Sequence, residues 1–281
     1  MLRDLGDGTG TLVGPLLEGD TETGEGAVLG LAQALGALHV ATVRCETEYD
    51  AVAAELYPKS DGVRPSALEG LRWTSRRMAE GLGGAVDQGV LDALAERLET
   101  PGPWAVLTHG DPCPDNALSM LDGTAVLLDF ELARPGHALF DATWWHMGFP
   151  SCWCAGALPR RLVARADARH RETLAGAIPE AGDDRAYERE LAHLCAVQLL
   201  WSAPRVLDGA LGEDDAWGTA RCRDRLVHWL ATVAGMLERT GVLPALAPTI
   251  DTWLDAVRDR GESADALAPY PPWRGSTGIR P

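Results

Sequence analysis

The reading of this chain turns on one stretch, Leu107-Thr108-His109-Gly110-Asp111-Pro112-Cys113-Pro114-Asp115-Asn116, and its continuation Val126-Leu127-Leu128-Asp129-Phe130-Glu131. Trp104 to Thr108 is short and apolar and reads as a strand. A loop stiffened by two prolines follows, from His109 to Asn116. Ala117 to Leu121 and Thr124 to Asp129 then read as short strands around Asp122-Gly123, a strong hairpin signal between apolar runs. A hairpin returns to its origin. Asn116 at its start and Asp129 at its far end, 13 residues later, therefore converge, with Asp111 beside them. Two carboxylates and an amide oxygen are hard oxygen donors that suit Mg²⁺, which takes few protein ligands and completes its shell with water and phosphate oxygens. A carboxylate left free of the metal can orient or deprotonate a hydroxyl. That is the apparatus of phosphoryl transfer.

The same residues resemble the aminoglycoside phosphotransferase and choline kinase family, which shares the protein-kinase-like fold. The pattern His-Gly-Asp-x-x-x-x-Asn falls on His109, Gly110, Asp111 and Asn116, and Asp129-Phe130-Glu131 stands where kinases carry Asp-Phe-Gly. The resemblance implies that Asp111 is the catalytic aspartate and that Asn116 and Asp129 hold Mg²⁺. It implies that the His109 ring braces the loop, and that Asp141, in Phe140-Asp141-Ala142-Thr143, pins it. It implies ATP as phosphate donor and a small-molecule hydroxyl as acceptor, aminoglycoside-like or another hydroxylated metabolite. The expected fold is α+β and mostly helical, the large C-terminal lobe of a protein-kinase-like fold with a small β-hairpin cluster at the catalytic loop. A protein kinase ranks last: Gly110 replaces the usual arginine, and the Asp129-to-Asp141 span is too short for an activation loop.

Upstream, the kinase-like parts run out. The family's small lobe supplies a glycine-rich loop, a strand lysine and a helix glutamate. Only about 26 residues precede the first clear helix, too few for a five-stranded lobe at roughly five residues a strand. Gly6-Asp7-Gly8-Thr9-Gly10-Thr11 has glycines without the G-x-G-x-x-G spacing, and the sole lysine, Lys59, comes after that helix and reads as solvated surface. Leu2 to Gly10 reads instead as the hinge strand and its exit turn. The expected organisation is a hinge remnant over 1–26, the large lobe over 27–260 and a loose Pro- and Gly-containing tail over 261–281. Either a small lobe lies upstream of this start, or it is gone and the chain is a non-catalytic ligand- or nucleotide-binding module. Without it, an open hinge and upper cleft favour self-association.

Around the motif the chain is helical. Val28, Leu31, Leu35 and Leu38 repeat at helical spacing over 27–40. Further helices are expected over 48–57, 66–80, 88–99, 159–177, 184–201, 214–240 and 246–260. The 281 residues hold 41 acids against 25 bases, a net charge of −16, which excludes non-specific binding to nucleic acid and to anionic membranes. The first residues carry acids and no apolar run, so no secretory signal is read and a cytoplasmic location is expected. In that compartment the six cysteines are expected as free thiols; Cys152-Trp153-Cys154 with His146 lacks the second pair that a zinc site needs. Asp183-Asp184, Glu188, Glu190 and Glu213-Asp214-Asp215 could hold a cationic acceptor, although Asp183-Asp184 and Glu213-Asp214-Asp215 also suit helix N-termini. Trp144, Trp145, Trp153 and Trp201 read as core first and as pocket walls second.

Overall fold

The computed structural model describes residues 10–56, 66–120, 122–213, 215–260 and 267–275. In chain order these form β1 (Gly10–Thr11), α1 (Val13–Leu17), α2 (Thr21–Ala41), α3 (Glu46–Leu56), α4 (Ala67–Leu82), α5 (Gln88–Glu99), β2 (Ala105–Thr108), β3 (Ala117–Ser119), β4 (Ala125–Leu127) and β5 (Arg134–His137). There follow α6 (Leu139–His146), α7 (Arg160–Leu174), α8 (Asp184–Ser202), α9 (Leu207–Leu211), β6 (Ala216–Trp217), β7 (Ala220–Arg221), α10 (Cys222–Thr240) and α11 (Ala247–Arg258). The architecture is α+β and mostly helical, with three small antiparallel sheets ordered β1-β3-β4, β2-β5 and β6-β7. Among the described residues no single helix is long and apolar enough to cross a membrane.

Local chemistry sets the helix starts. Asp20 caps α2 by accepting from the Thr23 N–H at 2.8 Å, and the Thr23 hydroxyl returns to the Asp20 N–H at 3.0 Å, a reciprocal box that satisfies two otherwise orphaned donors. Ser66 and Glu69 do the same for α4. The Val28, Leu31 and Leu35 stripe of α2 is wholly buried, and α2 packs chiefly on α7. Gly36 permits that approach, because a Cβ there would sit 2.9 Å from Thr173. Asp183 caps α8 through the N–H groups of Arg185 and Ala186, the structural role expected for that acid pair.

Several expectations need correction. The boundary drawn between 26 and 27 falls inside α2, and the described part of the supposed hinge remnant is built into the core: Leu12 and Leu16 are fully buried. Its outer edge does lead into the site, since β1 pairs with β3 through Gly10↔Ser119 and Thr11↔Leu118. The helix expected over 214–240 begins at Cys222, because β6 and β7 form a hairpin before it, so Glu213 and Asp215 do not sit at its N-terminus. Within the tail expected to be loose, residues 267–275 are packed: Leu267, Tyr270 and Trp273 are buried, and Tyr270 N–H donates to the Ala157 carbonyl at 3.2 Å. Leu2 to Thr9 and Lys59 lie outside the described residues.

Candidate active site

Three backbone pieces meet at the motif: the loop between β2 and β3, the far end of the β3–β4 hairpin, and the start of α6. The hairpin register runs Ala117↔Leu127, and the Leu128 N–H donates to the Asn116 carbonyl at 2.8 Å. Asp129 therefore follows directly on the residue that faces Asn116. The His109 ring ties the loop to this same point, with Nε2 donating to the Leu128 carbonyl at 2.7 Å. That bond fixes the tautomer and leaves Nδ1 to accept the Asp111 N–H at 3.4 Å. Gly110 sits at φ +82°, and a Cβ there would lie 2.5 Å from the Leu132 carbonyl oxygen, so both conformation and space demand glycine.

Asp141 stands in the first turn of α6, fully buried. Its carboxylate accepts the backbone N–H of His109 at 2.7 Å, that of Gly110 at 3.0 Å, and His39 Nε2 at 3.0 Å. Behind it, His39 Nδ1 pairs with His170 Nε2 at 3.0 Å, and His170 Nδ1 lies 3.4 Å from the Tyr187 hydroxyl. Burial first, and His39 second, hold His170 well below the usual imidazole range; burial pushes the Tyr187 phenol well up. The C-terminal end of α2 thus reaches the loop after β2 through one carboxylate.

Asp111 is half-buried. Asn116 donates its Nδ2 to the Asp111 carbonyl at 3.0 Å and, more weakly, to Asp111 Oδ2 at 3.4 Å. With the amide nitrogen engaged, Asn116 Oδ1 has no partner among the described residues. Asp129 occupies a left-handed conformation, φ 55° and ψ 69°, and its exposed carboxylate has no partner among the described residues. A non-glycine residue in that region is uncommon and is characteristic of functional turns. An amide oxygen and a carboxylate are the kind of hard oxygen donors that a cation such as Mg²⁺ takes. The five residues named from the sequence thus form one network, with Asp129 joined through the Leu128 backbone.

Two features were not anticipated. Cys113 and Cys152 form a disulfide, which corrects the expectation of six free thiols and removes Cys152 from any zinc reading. It bridges the loop between β2 and β3 to the turn after α6, a proximity that spacing along the chain does not encode. Cys154 stays free, its thiol pushed up to about 12, first by burial and then by Asp115. The second feature is Ser151, whose hydroxyl donates to Asp111 Oδ1 at 2.5 Å. No pattern in the sequence singled it out.

Some of the other candidates have structural occupations. Glu190 meets Arg97 at 3.2 Å and His137 at 3.7 Å. Trp144 and Trp145 are core, whereas Trp153 and Trp201 are partly exposed. Trp201 lines a cleft of about 560 Å³ with Thr108, Arg134 and Phe140, and the Arg134 guanidinium lies 5.0 Å from its ring centre.

A loop pinned by a buried aspartate thus lies next to a hairpin whose far end presents an exposed carboxylate. The family model of the phosphotransferase enzyme family matches residues 6–182, well over half of the chain and all five site residues, and the chain belongs to that family. No sequence among curated proteins matches it. Among solved structures it is similar to an ethanolamine kinase of Plasmodium vivax, at 16% identity and TM-score 0.42, covering 82% of this chain and 61% of that one. It is also similar to an aminoglycoside phosphotransferase of Alicyclobacillus acidocaldarius, at 17% identity and TM-score 0.32, covering 84% of this chain and 66% of that one. The chain therefore spans less than two thirds of the length of either protein.

Proposed function

We propose that this chain carries the catalytic lobe of a phosphotransferase that moves the γ-phosphate of ATP to a hydroxyl of a small molecule. One observation carries the reading: the hairpin register sets the backbone of Asp129 next to that of Asn116, neither Asn116 Oδ1 nor the Asp129 carboxylate has a partner among the described residues, and Asp111 is hydrogen-bonded to Asn116. Asn116 and Asp129 would hold Mg²⁺, which when bound neutralises charge on the transferring phosphate. Asp111 would orient the acceptor hydroxyl and accept its proton. His109, Gly110 and Asp141 keep that carboxylate in place. The net charge of −16 favours an acceptor that is itself cationic, such as a hydroxylated amine.

The test is transfer of labelled γ-phosphate from Mg²⁺·ATP to a panel of hydroxylated amines, with ethanolamine and kanamycin as first probes. A labelled product that depends on Asp111 supports the proposal. The second reading, a nucleotide-binding module that does not turn over, is favoured by binding of Mg²⁺·ATP without transfer to any member of the panel.

A further inference from the structure

We infer that Ser151 is a positioning residue for Asp111: it fixes which carboxylate oxygen faces the acceptor. The inference rests on the phosphotransferase reading given above and adds a residue to it. Ser151 Oγ lies 2.5 Å from Asp111 Oδ1, and Trp144 Nε1 donates to the same Oγ at 2.9 Å. An indole N–H can only donate. The Ser151 hydroxyl must therefore accept from Trp144, and its single proton is directed to the carboxylate. Asp111 Oδ1 is thereby occupied by a charge-assisted hydrogen bond, while among the described residues Oδ2 has only the long contact to Asn116. Oδ2 is the oxygen left for an acceptor hydroxyl.

The segment that carries Ser151 is held from three sides. The Cys113–Cys152 disulfide ties the residue after Ser151 to the loop two residues beyond Asp111. Arg225, fully buried, donates to the Cys152 carbonyl at 2.9 Å and to the Trp153 carbonyl at 3.3 Å, with its guanidinium 4.4 Å from the Trp217 ring centre. Thr219, in the turn between β6 and β7, donates its N–H to the Trp153 carbonyl at 2.8 Å. Before it, Phe149 is turned into the left-handed region at φ 58°, its N–H bonded to the Trp144 carbonyl at 2.7 Å. A bulky residue in that conformation persists only where its surroundings impose it, and such strain gathers at functional sites. A buried arginine, a cross-link and a strained turn all converge on a serine with a single donor proton, and that proton goes to Asp111.

The experiment compares Ser151→Ala and Ser151→Thr with the parent chain in two readouts. In phosphate transfer from Mg²⁺·ATP to the acceptor identified from the ethanolamine and kanamycin panel, Ser151→Ala lowers kcat by about 10- to 100-fold while acceptor KM stays within about twofold. Ser151→Thr, which keeps the hydroxyl, restores most of kcat. An unchanged kcat in Ser151→Ala, or a KM effect alone, overturns the positioning role. The second readout needs no turnover. Ser151→Ala lowers Tm more in the parent chain than in an Asp111→Ala background, where only the bond from Trp144 remains to be lost. Equal Tm losses in both backgrounds overturn the coupling itself. A parent chain that transfers no phosphate, yet shows the coupling in Tm, contradicts the proposed function and leaves the Ser151–Asp111 pairing standing.

Discussion

His39 and Asp141 lie 102 residues apart in the chain and meet at 3.0 Å between Nε2 and Oδ2, with neither side chain exposed to solvent. The same carboxylate holds the N–H groups of His109 and Gly110. Replacing it with a methyl group leaves three donors, two of them buried, without that partner. Asp141→Ala is expected to cost about 3–5 kcal/mol of folding stability. Urea unfolding of the purified variant measures it, and a loss under about 1 kcal/mol would show that the carboxylate does not organise the loop.

Asp111 has a different kind of role. It is half-buried and contacts only neighbours of the loop and Ser151, so Asp111→Ala is expected to leave a folded chain within about 2 kcal/mol of the parent. Phosphate transfer should fall to background. Retained turnover in the purified variant would remove Asp111 from its assigned role.

Acid should destabilise the fold through buried histidines. Burial holds His228 down to about 4, opposed only by its hydrogen bond to the His146 carbonyl, and holds His170 well below its usual value. Their folded values lie below the unfolded value near 6.5, so below that pH the unfolded chain binds more protons than the folded one. Stability is then fully present above about pH 6.5 and falls with pH down toward 4; for His228 alone the loss is about 3 kcal/mol. In Tm measured from pH 7 to pH 4.5, His228→Gln should flatten part of the acid slope. An identical slope in the variant would mean that His228 is not protonated on unfolding.

Reduction should loosen the loop that carries Asp111. The Cys113–Cys152 bond closes a loop with a sequence separation of 39 residues, for which chain entropy gives about 4 kcal/mol. Dithiothreitol, which supplies the two electrons and protons, should lower Tm of the parent chain by several degrees and leave a Cys113→Ser, Cys152→Ser double variant unchanged. A parent chain indifferent to reductant would show that the bridge adds nothing to stability.

What the sequence revealed follows from the range of the interactions. His109, Gly110, Asp111 and Asn116 lie within eight residues, and the Asp122-Gly123 turn brings Asp129 back to them, so local spacing carried most of the site. The long helices were legible from their one-sided apolar stripes, as in α2. Helix α6 was not, because Leu139 to Trp145 are buried on every face and no period of 3.6 shows. Strand β5 was not placed from the sequence, since Pro135 and Gly136 are poor strand formers, yet it pairs with β2 along its whole length. Ser151, the disulfide and the packed Tyr270 and Trp273 depend on contacts between segments distant in sequence, where one chain gives no pattern to read.

The most direct test of the central claim is the thermal unfolding of this chain with and without Mg²⁺·ATP, in parent and Asp129→Asn forms. A ligand at about a hundred times its Kd adds roughly 2.7 kcal/mol to the folded state. The account predicts a rise in Tm for the parent chain that requires Mg²⁺ and is lost in Asp129→Asn. A rise of the same size in both chains, or one independent of Mg²⁺, would contradict the assignment of Asn116 and Asp129 as the oxygen donors of the site.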